Sequence, residues 1–104
     1  MSRRVVTTQV ADSDIRNIAS YVAFDNSHAS VQFGQELWTA VARIAENPEI
    51  GRVVPEFPAL RVMRISHRFY RYLVFYRIPG PETIEVVRVL HAARDITALL
   101  PDVP

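Results

Sequence analysis

The residues with the most chemical potential lie in the run Val86–Asp95, VVRVLHAARD, where an apolar strand candidate ends in Arg88, His91, Arg94 and Asp95. Charged groups on a half-buried strand must be paired or held at a functional surface. His91 is the one group here whose ordinary titration falls near neutral pH, so it is a candidate general base, with Glu56 as a second. With Arg61, Arg64 or Arg88 on a phosphorane, these groups would make a metal-free ribonuclease. The plainer alternative is a partly buried His91, hydrogen-bonded at the strand end. Arg94 and Asp95 then form an adjacent charge pair at the cap of a terminal helix, where an acid suits the N-terminus. His28 and His67 fall at a helix start and in a turn and receive no role. No spacing of His, Asp and Glu points to a metal. Ser66 and Thr83 lack the elbow or paired base that a nucleophile needs.

A second signal is the arginines. All twelve basic residues are arginine, and lysine is absent. Every cation is therefore a planar fork suited to carboxylates, phosphates and aromatic faces. Residues 1–51 carry four arginines against six acids, and residues 52–104 carry eight against five, so the C-terminal half is the basic one. Arg61, Arg64, Arg68, Arg71, Arg77 and Arg88 run along strand candidates, with Arg52 and Arg94 at the edges. Strand alternation sets Arg71 and Arg77 on the face of Leu73 and Phe75, and Tyr70, Tyr72, Val74 and Tyr76 on the other. Such a face could meet an acidic partner or an RNA backbone. Equally, its arginines could pair with Glu56, Glu82, Glu85 and Asp95 on a solvated surface.

The elements that must position these groups are readable from periodicity. Arg3–Val10 alternates as a short strand, with Asp12 or Ser13 as the following helix cap. Ile15, Ile18, Ala19, Val22 and Ala23 mark one helix face, ended by Asp25-Asn26-Ser27. A longer helix over 28–46 carries the stripe Phe33, Leu37, Ala40, Val41 and Ile44 with Trp38 beside it, and stops at Asn47-Pro48. Residues 51–58, GRVVPEFP, read as a loop. Strands follow over Leu60–Ile65, Phe69–Ile78 and Thr83–Leu90, the last two joined by a Pro79-Gly80-Pro81 turn. A short helix over 93–100 closes the chain. This predicts an α+β fold, with an N-terminal strand and a helical hairpin packed on an antiparallel sheet of three to four strands.

At 104 residues the chain is one domain spanning 1–104, with 49% hydrophobic and 22% charged residues, as in ordinary folded proteins. It has no cysteine, which excludes disulfides and thiolate chemistry. No apolar run approaches the roughly 18 residues of a membrane span. MSRRVVTTQVAD is too short and polar for a signal peptide. A cytoplasmic protein without cofactor or metal is expected.

VVRVLHAARDITALL resembles the C-terminal signature of the RelE/ParE toxins of type II toxin–antitoxin systems, the ParE branch above all. ADSDIRNIASYVAFDNSHAS is similar to that family's first helix and interhelical turn. ENPEIGRVVPEFPALRVMRISHRFYRYLVFYRI is similar to its NP-x-x-G-R loop, its x-LR strand and its aromatic strand. The resemblance covers nearly the whole chain in order. It implies a helical hairpin on an antiparallel sheet, in a toxin neutralised by a cognate antitoxin with a DNA-binding domain and a disordered C-terminal segment. RelE-type members cleave mRNA on the ribosome; ParE-type members poison DNA gyrase without ribonuclease chemistry. The absent lysine and weak net charge favour the gyrase branch, with no membrane or direct nucleic-acid partner expected. No catalytic residue is favoured; the ribonuclease alternative would use His91, Glu56, Arg61 and Arg88. A degenerate toxin that retains only antitoxin binding is the third possibility. For antitoxin or target the expected contacts are Arg61, Arg64, Arg71, Arg77, Arg94, Val54 and Phe57. Val54 and Phe57 have an equal alternative, sealing the core.

Overall fold

The computed structural model describes residues 3–100. A strand β1 (Arg4–Thr7) leads into helices α1 (Gln9–Asp25) and α2 (Ser27–Glu46). Strands β2 (Arg52–Val54), β3 (Phe57–Arg64), β4 (Tyr72–Gly80) and β5 (Thr83–His91) follow, then a single turn of helix α3 (Ile96–Leu99). The five strands form one sheet in the order β1-β5-β4-β3-β2. β2 through β5 are antiparallel neighbours, whereas β1 runs parallel to β5 with Arg4 opposite Thr83 and Thr7 opposite Val86. The sheet is therefore larger than the three to four strands read from sequence, and mixed rather than purely antiparallel.

The first strand is shorter than the alternation of Arg3–Val10 implied, because Thr8 starts α1. Its side-chain oxygen accepts from the Ala11 N–H and donates to the Val87 carbonyl, both at 3.0 Å. That gives a helix cap four or five residues before the Asp12 or Ser13 expected from sequence. Asn26 caps α2, its Oδ1 accepting from the N–H groups of His28 and Ala29. The GRVVPEFP segment is not a plain loop, since it contains β2 and the beginning of β3. Phe69–Arg71 forms a turn ahead of β4, so Arg71 leaves the strand face assigned to it. At the other end β4 runs on to Gly80, opposite Thr83.

Strand alternation divides the core in two. Phe33, Leu37 and Ile44 of α2 and Ala11 of α1 meet Val74, Tyr76, Ile84, Val86 and Val89 beneath the helical hairpin. On the reverse face Val54, Leu60, Val62, Phe75, Val87 and Leu90 are sealed by Leu100, with Phe57, Ile96 and Leu99 packed around them. Both faces of β5 are thus buried, which a continuous apolar run such as TIEVVRVL requires. A bulge opposite Phe75 and Tyr76 makes Val87 an extra residue and shifts the alternation, so that Val86 and Val89, three positions apart, face the same core.

Candidate functional site

Arg88 sits beyond the point where β1 has stopped covering the edge of β5. Its guanidinium crosses that edge to Asp14 of α1, with Nε to Oδ2 at 2.7 Å and Nη2 to Oδ1 at 2.8 Å. Asp14 Oδ2 also accepts the Val89 N–H at 3.0 Å. Nη1 of Arg88 donates to the Leu99 carbonyl at 2.7 Å. One carboxylate and one guanidinium thus replace the missing β1 ladder and tie α3 to the sheet. The hydrogen bond to Asp14 pushes the Arg88 pKa above its ordinary value. Both side chains are nearly buried, at 15% and 12% exposure.

Arg61 is occupied in a comparable way. Its Nη1 donates to the Gly51 carbonyl at 2.7 Å and reaches the Glu49 carbonyl at 3.4 Å, pinning the 47–51 turn against β3. The same turn is held from the other side by the fully buried Tyr76. Its hydroxyl donates to the Pro48 carbonyl at 2.6 Å and accepts the Gly51 N–H at 2.9 Å. A Cβ on residue 51 would lie 2.7 Å from that hydroxyl and 2.9 Å from the Val62 carbonyl oxygen. Glycine is needed here for close approach.

The other expected contact residues separate clearly. Arg77 pairs with Glu85 across the strands, as the surface-pairing alternative held. Arg71 is exposed and bonded through Nε to the Tyr70 hydroxyl, its cation 5.4 Å from that ring. Val54 is buried and Phe57 half-buried in the reverse-face core, so both seal the fold. Arg94 and Arg64 are exposed. His91 accepts the Ala93 N–H on Nδ1 and stands edge-on to the Tyr72 ring at 5.0 Å. Glu56 is in the β2–β3 connection and lines a cavity with Leu73, Phe75, Ile96 and Thr97, not with His91. The structure does not bring Glu56, Arg61, Arg88 and His91 together. Among the described residues, no group of three His, Cys, Asp or Glu could hold a metal ion.

What it does assemble is a cleft of about 570 Å³ along the outer edge of β3. Arg43 from the last turn of α2, Arg52 from β2 and Arg64 from β3 line it, together with His67 and Tyr70. Ile50, Val62, Met63 and Leu73 form its apolar surface. None of the three arginines has a carboxylate within salt-bridge distance among the described residues. Arg43 escaped the sequence reading, because only the tertiary fold brings the end of α2 beside β3, and Arg52 was read only as an edge member of the arginines along the sheet.

The family model for the ParE toxin of type II toxin–antitoxin system, parDE, matches residues 5–96. The chain belongs to the ParE toxin family. It is 34% identical over 99 residues to Toxin ParE1 of Mycobacterium tuberculosis, a match spanning 92% of this chain and 96% of the relative. The same values hold for the two strains CDC 1551 / Oshkosh and ATCC 25618 / H37Rv. In fold it is similar to a chain of a structure titled "Chromosomal ParDE TA system from P. aeruginosa", with a TM-score of 0.70 at 18% identity. That likeness covers 86% of this chain and 96% of the other. The ParE-type fold thus explains the hairpin-on-sheet architecture. No helix among the described residues is long and apolar enough to cross a membrane.

Proposed function

We propose that this ParE-family toxin acts in the cytoplasm by binding DNA gyrase through protein contacts, and that a cognate antitoxin neutralises it by covering part of the same surface. The supporting observation is the occupation of its candidate phosphate-handling groups. Arg61 is spent on the Glu49 and Gly51 carbonyls and Arg88 on Asp14 and the Leu99 carbonyl. A ribonuclease would need those guanidiniums free to meet a phosphate and His91 within proton-transfer reach of a second acid or base. What remains exposed suits recognition instead. Tyr21, Phe24, Val31 and Trp38 stand out from the helical hairpin, Phe24 at 91% exposure, and exposed aromatic residues are characteristic anchors of protein interfaces.

The test is a supercoiling and cleavage-complex assay with purified toxin and gyrase. Inhibition, trapped cleaved DNA and relief by the co-expressed antitoxin are expected, and His91→Ala should retain all three. Unimpeded supercoiling together with mRNA cuts that vanish in His91→Ala would reverse the assignment.

A further inference from the structure

The three arginines of the cleft between α2 and β3 form no salt bridge among the described residues. We infer that Arg43, Arg52 and Arg64 form a carboxylate-binding site for an acidic, extended segment of the antitoxin. This rests on the toxin–antitoxin reading above and assigns the antitoxin a docking site on this chain.

Three observations carry it. First, three arginines from three separate elements converge on one cleft, and none has a carboxylate partner among the described residues. Elsewhere Arg68, Arg77 and Arg88 each meet a carboxylate, at Glu36, Glu85 and Asp14. Guanidinium forks left open this way match carboxylates in a bidentate geometry. Second, the edge of β3 is open here. β2 begins only at Arg52, opposite Val62, while Ile65 donates to the Tyr72 carbonyl on the β4 side. Antiparallel alternation then points the N–H and C=O of Arg64 outward, with no strand opposite them. An added peptide strand satisfies such groups, and pockets beside it take its side chains. Third, Ile50, Val62, Met63 and Leu73 give the cleft an apolar surface for alternate residues of that segment.

A nucleic-acid backbone is the competing anion. Its binding draws on a broad basic field, whereas this chain has a formal net charge of only +1. Unpaired backbone groups beside apolar side chains suit a peptide better than a sugar–phosphate chain.

The test compares wild-type toxin with Arg43→Gln, Arg52→Gln, Arg64→Gln and the triple variant. Arg16→Gln, on the exposed surface of α1, serves as control. Each is titrated with the purified cognate antitoxin and, separately, with a labelled 20-mer oligouridylate. Circular dichroism and melting verify the fold. Each single change should weaken antitoxin binding about tenfold and the triple by roughly 100-fold or more, as for lost charge-assisted hydrogen bonds. The triple should also flatten the salt dependence, and the control should match wild type. A folded triple variant that binds antitoxin like wild type overturns the site while leaving the toxin–antitoxin reading intact. Loss of oligouridylate binding with antitoxin binding retained overturns it in favour of nucleic acid. A wild-type chain that binds no antitoxin defeats the toxin–antitoxin reading, and this inference with it.

Discussion

Tyr76→Phe removes one oxygen from the middle of the protein and is expected to cost about 2–3 kcal/mol. The side chain is fully buried, and its hydroxyl is the partner of two main-chain groups, the Pro48 carbonyl and the Gly51 N–H. Both residues are themselves buried. Each buried polar group left unpaired costs about 1–3 kcal/mol, and the phenylalanine gains something back because it has no hydroxyl to desolvate. For a domain of this size that cost corresponds to a fall in Tm of roughly 10–20 °C. In urea it corresponds to a midpoint lower by roughly 1–2 M. Gly51→Ala attacks the same contact from the other side. Its Cβ would meet the Tyr76 hydroxyl, Tyr76 Cε1 at 2.9 Å and the Val62 carbonyl, none of which is a flexible chain end. It should cost about as much, and the double variant should cost less than the sum, because one hydrogen bond is lost only once. Gly34→Ala is the control: a Cβ there meets nothing within 4 Å, and in mid-helix it should stabilise by about 0.5–1 kcal/mol. The measurement is equilibrium urea unfolding followed by circular dichroism and tyrosine fluorescence together. A Tyr76→Phe chain within about 0.5 kcal/mol of wild type would show that the 47–51 turn does not depend on this anchor.

Asp14→Ala leaves Arg88 charged, nearly buried and without its carboxylate, and should cost about 3 kcal/mol in urea unfolding. Asp14→Leu with Arg88→Met should recover much of that loss; equal losses in the single and double variants would refute the pairing argument. Burial pushes the Tyr76 pKa above its ordinary 10.0, and the Tyr72 pKa above the same value. The folded state therefore keeps these protons where the unfolded chain has begun to lose them. Stability should be complete below about pH 10 and fall as pH rises through the raised folded values. Tyr76→Phe should flatten that alkaline slope, as a pH series of urea midpoints would show. Trp38 is 74% exposed, so Trp38→Gln should shift stability by less than about 0.5 kcal/mol. Any larger loss would mean that the ring packs in solution.

The long helix, the core stripe of α2 and the β4–β5 hairpin were legible because each is a local pattern. The alternation through Leu73, Val74, Phe75 and Tyr76 correctly separates the two faces of β4. What failed was set by tertiary partners. Thr8 caps α1 because Val87 and Ala11 lie within reach, and Trp38 is exposed although it adjoins the core stripe. GRVVPEFP contains strand because β3 offers it an edge. The candidate site was half legible. Residue type and chain half flagged the arginines, but which are free depends on distant acceptors such as Asp14, 74 positions before Arg88, and the Gly51 carbonyl. Arg64 survived that sorting, and Arg61, Arg77 and Arg88 did not.

The parallel pairing of β1 with β5 also bears on how the toxin comes into being. β5 comes after the other four strands in chain order, yet it lies inside the sheet between β1 and β4. The strand that opens the chain must wait for it, since Arg4 pairs with Thr83. Contacts this distant in sequence slow folding, because the loop must close before it gains anything. A nascent chain that has not yet released residues 83–91 has no partner for β1 and lacks Ile84, Val86 and Val89 from the surface that receives the hairpin's apolar face. The fold thus withholds a finished toxin domain until residues 83–91 have emerged, and a message cut short upstream of β5 yields no poison.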